Sequence, residues 1–189
     1  MDALELLTAD HNRVRGLFKR FKDAEEKDDL AAMREITNKI VEELKIHTTI
    51  EEEIFYPAIK DASQEIKDVV DEGFEEHHVA KVLIAELDTV ESGSDSWTAK
   101  VKVLIEAVEH HAEEEETEMF PPVRARTEPE TRAALGEKLG ARKVELGAPP
   151  MEVALDLTME ELKEKAKEQE IPGRSKMKRQ ELAATVDPR

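Results

Sequence analysis

The sequence of 189 residues contains no cysteine. This absence excludes disulfides, thiolate metal sites and cysteine nucleophiles, and it fits the reducing interior of a cell. No apolar run approaches the roughly 20 residues that cross a bilayer, and the N-terminus lacks a basic segment followed by an apolar one. We therefore expect a soluble, cytoplasmic protein without a membrane partner.

Basic residues are scarce, because 28 lysines and arginines stand against 45 acidic residues and leave a net charge of −17. The excess lies in residues 1–150, with 20 basic and 36 acidic residues, whereas residues 151–189 contain 8 and 9. An acid-rich body argues against wrapping nucleic-acid phosphates, which requires basic patches. Solubility is the simplest explanation of this charge.

The sequence does contain a helical repeat of apolar residues, and it has no convincing strand pattern. Four apolar stripes predict helices at about residues 3–25, 29–60, 66–87 and 101–119. Long helices with short connections favour an up-down-up-down four-helix bundle. We expect an all-α fold in which this bundle carries a small C-terminal helical appendage.

The chain divides into three predicted units. Residues 1–125 form the bundle, residues 126–150 a charged helix and linker, and residues 151–189 a small helix-turn-helix unit. Within the last unit, Thr158 and Glu161 have the spacing of a capping box, and Pro172 followed by glycine ends the helix.

Two segments share one pattern, in which a histidine is followed four residues later by a glutamate and ten residues later by a proline. They are His47 with Glu51, and His111 with Glu115. Residues four apart lie on one face of a helix, with Cβ atoms roughly 5–6 Å apart. Each pair can therefore bind a metal ion.

Two further histidines, His11 and His77, lie in the apolar stripes of the first and third helices. Helical phase selects His77 over His78, and His111 over His110. At 1.5 Å per residue, antiparallel packing brings all four histidines to one height. Nitrogen and oxygen ligands without sulfur suit iron, with manganese and zinc as alternatives.

A histidine in an apolar stripe is more often a core residue than a metal ligand, and single glutamates mean little in so acidic a chain. Four such histidines at one height, two of them in matched phrases, are hard to explain by packing alone. A buried histidine or glutamate is costly unless it is bonded, paired or coordinating. We predict six metal ligands, which are His11, His47, Glu51, His77, His111 and Glu115.

The combined pattern resembles the hemerythrin-like (HHE cation-binding) family over about residues 1–125. The resemblance rests on Asp10-His11, His47-x3-Glu51-Glu52 with Tyr56-Pro57, Glu76-His77, and His111-x3-Glu115-Glu116 with Phe120-Pro121. It implies a four-helix bundle with a non-haem centre of two iron ions, oxo- or hydroxo-bridged. The four histidines would be terminal ligands, and the two glutamates would bridge.

The sequence departs from oxygen-carrying hemerythrins, which have a fifth histidine one turn from the first on helix three. Here those positions are Gly73 and Lys81. Either a vacant position accepts water, peroxide or another small molecule, or His78 or a nearby glutamate fills it. Tyr56 lies about 180° round the helix from His47 and is expected outside the site unless Pro57 distorts the helix end.

The tail from Leu157 to Val186 is similar to the N-terminal unit of Rho transcription terminators and to SAP-like modules. Its basic residues are Arg174, Lys176, Lys178 and Arg179. The resemblance implies a weak nucleic-acid role. The alternative, which we favour, is a docking or stabilising appendage, because the tail has no aromatic residue for base stacking.

The sequence supports three functional hypotheses. The leading one is a non-haem di-iron protein that handles O2, H2O2 or NO, with peroxide disproportionation as the candidate enzyme activity. The second is an iron or oxygen sensor that signals through the C-terminal unit. The third is a metal-free structural bundle.

Overall fold

The computed structural model of the protein describes residues 1–150 and 154–187, and within them the chain is helical and contains no strand. The helices are α1 (Ala3–Glu26), α2 (Leu30–Ile50), α3 (Gln64–Leu87), α4 (Asp95–Glu114), α5 (Pro129–Glu145), α6 (Met159–Glu168) and α7 (Arg179–Thr185). The predicted all-α class is confirmed. The predicted boundary at residue 151 lies outside the described residues.

Short polar side chains begin most of these helices. Asp2 accepts from the N–H of Glu5 and forms a capping box at α1, while Ser63 and Ser94 cap α3 and α4. Such caps satisfy backbone donors that have no partner inside the helix. The predicted capping box at Thr158 is also present, and it begins α6.

Helices α2 and α4 both continue through a π-helical turn. The turns are Glu51–Phe55 and Glu115–Met119, and each is followed by a short α-helix, Tyr56–Ile59 and Phe120–Arg126. A proline follows the first residue of each short helix; it has no N–H and cannot make the usual bond to the residue four positions back. The extra residue in each turn rotates the short helix after it by about 100° relative to a regular helix.

Helix α1 packs along α2, α3 packs along α4, and α5 and α7 both pack on α1. Two apolar clusters fill the interior of this assembly. One is built around Phe18, Phe21 and Leu104, and the other around Leu7, Phe55 and Tyr56. The predicted histidine and glutamate side chains lie in a buried polar layer with apolar clusters on either side.

The C-terminal segment has its own small apolar cluster, which includes Leu162, Ile171 and Leu182.

None of the helices in the described part of the chain is long and apolar enough to cross a membrane.

Candidate metal centre

The imidazoles of the four predicted histidines meet in two pairs within the buried polar layer. The Nε2 atoms of His11 and His47 are 3.2 Å apart, and those of His77 and His111 are 3.1 Å apart. Two adjacent ligands, each about 2.1 Å from one metal ion, would be about 3 Å apart. Each imidazole pair therefore has the spacing of two ligands on one ion.

The two glutamates lie against these imidazoles. Glu51 Oε2 is 3.2 Å from Nε2 of His47 and 3.3 Å from Nε2 of His77, so one carboxylate contacts both pairs. Glu115 Oε2 is 3.3 Å from Nε2 of His11 and 3.9 Å from that of His111. All six predicted residues thus come together, and they form two overlapping groups that could hold metal ions.

The outer nitrogens of the imidazoles face a second set of carboxylates. Glu116 lies 2.8 Å from His11 Nδ1, Glu52 lies 3.0 Å from His77 Nδ1, Glu76 lies 2.6 Å from His111 Nδ1, and Asp10 lies 3.5 Å from His47 Nδ1. A carboxylate accepts, so Nδ1 of His11, His77 and His111 carries a proton, and the inner Nε2 atoms would present lone pairs to a bound cation.

These outer carboxylates follow one rule. Each is the chain neighbour of a predicted ligand on one helix, and it supports the imidazole of the next helix. Asp10, for example, adjoins His11 and faces His47. Four such contacts close a ring around the site, which we call the outer carboxylate ring (Asp10, Glu52, Glu76 and Glu116).

Several buried atoms of the site have no hydrogen-bond partner among the described residues. They are both carboxylate oxygens of Glu51, Oε2 of Glu115, Nδ1 of His47 and Oδ2 of Asp10. An unsatisfied buried polar group costs roughly 1–3 kcal/mol, and more if it is charged. The unsatisfied oxygens of Glu51 and Glu115 face the inner imidazoles, and a cation bound between them would satisfy these oxygens, so the residues fit a metal.

Without a metal, the pKa values of Glu51 and Glu115 are shifted in opposite directions. Burial, reinforced by repulsion from Glu115, raises the pKa of Glu51 well above its ordinary value. Burial acts the same way on Glu115, but His111 and His11 outweigh it and lower the pKa of that carboxyl. Burial is likewise outweighed at His11, where bonds to Glu115 and Glu116 raise the pKa to about 9.

Tyr56 also reaches the site, contrary to the helical rotation expected from the sequence. Its hydroxyl donates to Glu115 Oε1 at 2.9 Å and lies 3.5 Å from His77 Nε2. The π turn before it supplies the missing rotation. Gly73 leaves room for this phenol, because a Cβ at that residue would lie 2.8 Å from the hydroxyl oxygen.

Gly73 is one of the two positions where the fifth histidine could have stood, and the phenol of Tyr56 lies beside it. His78, one candidate to fill it, is exposed, and Lys81 pairs with Glu52. Sequence periodicity missed Tyr56 because it assumes a uniform helix. The available signal was Pro57, which removes a backbone donor where the turn forms.

A small cavity adjoins the imidazoles on the side away from Tyr56. Its volume is about 30 Å³, and its apolar lining includes Val14, Phe18, Leu44 and Val108. Each water-sized atom needs roughly 10–15 Å³ by this measure. The cavity therefore has room for a molecule of about two such atoms.

These features define a class, namely a helical protein with a buried histidine–glutamate cluster that can hold metal. The profile of the hemerythrin HHE cation-binding domain matches residues 2–123. The chain belongs to this family. The profile of the N-terminal domain of Rho termination factor matches residues 156–186, as the resemblance of the tail predicts.

The chain is also similar to a DNA nickase of Nostoc sp. (strain PCC 7120 / SAG 25.82 / UTEX 2576). The two proteins are 24% identical over 124 residues, which are 66% of this chain and 34% of the nickase. The chain thus spans about a third of that relative's length. No solved structure matches the chain significantly.

Proposed function

We propose that the protein is a non-haem di-iron protein that binds and handles O2, H2O2 or NO. In this proposal α1 to α4 form an up-down-up-down bundle around two iron ions with an oxo or hydroxo bridge. The terminal ligands are His11 and His47 on one ion and His77 and His111 on the other. Glu51 and Glu115 would bridge the two ions. Membership of a cation-binding family supports the metal.

The observation that carries this proposal is the convergence of four Nε2 atoms on Glu51 and Glu115, which together keep three carboxylate oxygens without a hydrogen-bond partner among the described residues. One carboxylate in contact with both imidazole pairs favours two ions over one. Imidazole and carboxylate ligands suit iron, and they allow two oxidation states.

Iron at this site would supply the redox and Lewis-acid chemistry. The protein would orient the imidazoles through the outer carboxylate ring and exclude bulk water through the apolar clusters. Tyr56 would hold a proton beside Glu115, because its hydroxyl already donates to Oε1 of that carboxylate at 2.9 Å. Burial raises the pKa of Tyr56 well above its ordinary value, so the phenol keeps that proton.

The cavity limits the class of substrate. About 30 Å³ suits a diatomic gas or peroxide and excludes organic substrates of ordinary size. Its apolar lining favours uncharged molecules over anions. Catalase-like removal of peroxide is the enzyme activity that we would test first.

Metal quantification with an absorption spectrum, recorded with and without peroxide, tests the proposal. We expect about two iron ions per chain and a spectrum that changes on addition of peroxide. Oxygen evolution that is lost in His111→Ala would support the catalase-like activity. Protein from iron-replete cells that contains no iron would contradict the proposal, whereas iron without peroxide reactivity would contradict only the activity.

Metal loading should depend strongly on pH. A pKa of about 9 keeps His11 protonated at neutral pH, and the raised pKa of Glu51 favours its protonated form, so metal must displace these protons. Burial lowers the pKa of His47 and His77, which are already neutral and lose none.

Apparent affinity should rise about tenfold per pH unit for each proton released, and the proton of His11 should stop contributing above its pKa of about 9. Equilibrium dialysis of metal-free protein against zinc at several pH values measures this slope. Affinity that does not change between pH 6 and pH 8 would contradict the assignment of protons.

Changes at Tyr56 should alter the centre without emptying it. Tyr56→Phe removes the hydroxyl that lies over Gly73, and Gly73→Ala displaces it, since the new Cβ would lie 2.8 Å away. We expect both variants to keep iron, to shift its absorption spectrum and to bind azide several-fold more tightly. Gly140→Ala is the matched control, because its Cβ would meet only Leu6 at 3.8 Å. Spectra identical to the wild type would place the phenol outside the reactive position.

A second candidate function is a sensor that reports through the C-terminal unit, and a specific contact favours it. Arg13 Nε donates to the carbonyl of Thr185 at 2.8 Å, and another nitrogen of the same guanidinium donates to the carbonyl of Ala184. Arg13 also lies 3.8 Å from Asp10, which faces His47. One charged chain thus joins a predicted ligand to the tail.

In the sensor hypothesis, a His47 that holds a metal would donate its Nδ1–H more strongly to Asp10, and the weakened contact between Asp10 and Arg13 would loosen the tail. The Rho-like profile and the nickase relative make nucleic acid the partner to test. Deleting residues 151–189 should leave the iron spectrum intact and abolish binding. Absence of any DNA or RNA binding by the full-length protein, with or without iron, would count against this hypothesis.

A further inference from the structure

Three members of the outer carboxylate ring are paired with a cationic side chain. Glu116 pairs with Arg15 at 2.8 Å, Glu52 pairs with Lys81, and Asp10 pairs with Lys143. These cations offset the charge that the ring would otherwise concentrate around the site. Among the described residues, the fourth member, Glu76, has no lysine or arginine partner.

Two other side chains lie beside Glu76. His110 and Glu114 come from the neighbouring helix α4, and His110 Nε2 is 3.2 Å from Glu114 Oε1. Each of the three residues offers one ligand atom, and these three atoms all lie within 4.8 Å of one another. The trio therefore needs only small side-chain movements to surround one ion.

In the sequence, the histidine–glutamate spacing of the inner site occurs a second time, one residue earlier. His110 and Glu114 have the same four-residue spacing as His111 and Glu115, and the shift of one residue rotates the pair by about 100° to the outer surface of the helix. On α3, His77 faces the interior and its neighbour Glu76 faces outward. Each member of the trio thus lies one residue before a predicted inner ligand, and the trio faces the outer surface of the helices.

We propose that Glu76, His110 and Glu114 bind a divalent transition-metal ion, which takes the place of the missing cation in the outer carboxylate ring. The ion would be a third one, distinct from those of the inner centre. One nitrogen and two carboxylate ligands suit Zn²⁺, Mn²⁺ or Fe²⁺, with water completing the coordination of this partly exposed site. The proposal does not depend on iron in the inner centre.

Charge favours a cation at this place. One carboxylate oxygen of Glu76 and one of Glu114 lie within 4.8 Å of each other, and no lysine or arginine among the described residues pairs with Glu76. The ion would also act on the inner site, since Glu76 Oε2 accepts from His111 Nδ1 at 2.6 Å. A metal on Glu76 withdraws negative charge from that bond, and changes in such supporting contacts typically alter metal affinity 10–100-fold.

Zinc alone is the probe for this site. Full-length protein is dialysed against Zn²⁺ and its bound zinc is counted, and crystals grown in zinc are examined by anomalous scattering at the zinc edge. We expect a peak between Glu76 and His110. We also expect His110→Ala and Glu114→Gln each to bind about one zinc ion fewer than the wild type.

His78→Ala is the matched control, because His78 is an exposed histidine adjacent to an inner histidine on α3. It should bind as much zinc as the wild type. Equal zinc in the wild type and His110→Ala would overturn the proposal, and so would an equal loss in His78→Ala. Peaks at the inner histidines report on the inner centre separately, so a failure of the di-iron proposal is distinguishable.

Discussion

Glu51→Gln should empty the inner centre while leaving the fold intact. Glutamine has nearly the same shape as glutamate, but its neutral amide cannot bridge two cations. We expect the affinity for iron to fall at least tenfold, since even indirect support of a ligand is worth 10–100-fold in affinity. Metal analysis and the iron absorption spectrum measure this loss.

The same substitution should have the opposite effect on the metal-free protein. Both oxygens of Glu51 are buried without a hydrogen-bond partner, and burial raises the pKa of its carboxyl. A neutral amide removes the cost of a buried acid beside Glu115 and can donate to that carboxylate. We expect metal-free Glu51→Gln to unfold at the same or a higher temperature than metal-free wild type.

Glu53→Gln is the matched control, because Glu53 lies in the same π turn but is exposed and pairs with Arg142. It should bind iron as the wild type does. A Glu51→Gln protein that still carries two iron ions would contradict a bridging role. Equal iron loss in Glu53→Gln would instead point to a general disturbance of the turn.

Much of this site could be predicted from spacing because a helix is periodic. His47 and Glu51 lie on one face at four residues apart, and apolar neighbours show that this face is buried. The phase argument that preferred His111 to His110 agrees with their positions, since His111 is buried and His110 exposed. The predicted roles of these side chains as ligands stay predictions.

Two features could not be obtained from periodicity. The inward position of Tyr56 depends on a π turn, which adds one residue and breaks the uniform rotation that the argument assumes. The outer carboxylate ring depends on which helices are neighbours, and so do its contacts with Arg15 and Lys81. A single acidic residue among 45 gives no signal of that kind.

The sequence favours a docking or stabilising appendage, but it does not show where the tail docks. Arg13 reads as one more charged residue of α1, yet it is 8% exposed and donates to two carbonyls of the C-terminal unit. Gly16 reads as a weak point of the helix, yet it lies directly under the carbonyl of Gln169. Both roles depend on contacts more than 150 residues away along the chain.

Arg13→Ala should detach the C-terminal unit and cost about 3–5 kcal/mol of the free energy of unfolding, the usual effect of removing one partner from a buried ion pair. The change leaves Glu43 without its 3.1 Å contact to Arg13 and deprives the carbonyls of Ala184 and Thr185 of a donor. Denaturant unfolding measures the loss, and hydrogen exchange in residues 157–187 reports detachment. Lys22→Ala, an exposed site on α1, is the control.

Gly16→Ala separates docking from charge, because the sign of its effect depends on whether the tail is bound. In the interior of a free helix, alanine is more stable than glycine by about 1 kcal/mol. Here the added Cβ collides with the carbonyl of Gln169, and it also lies 3.1 Å from Ile171. Gly16→Ala should therefore destabilise the full-length chain and stabilise a chain without residues 151–189. Stabilisation in both chains would mean that the tail does not rest on α1, whatever Arg13→Ala does.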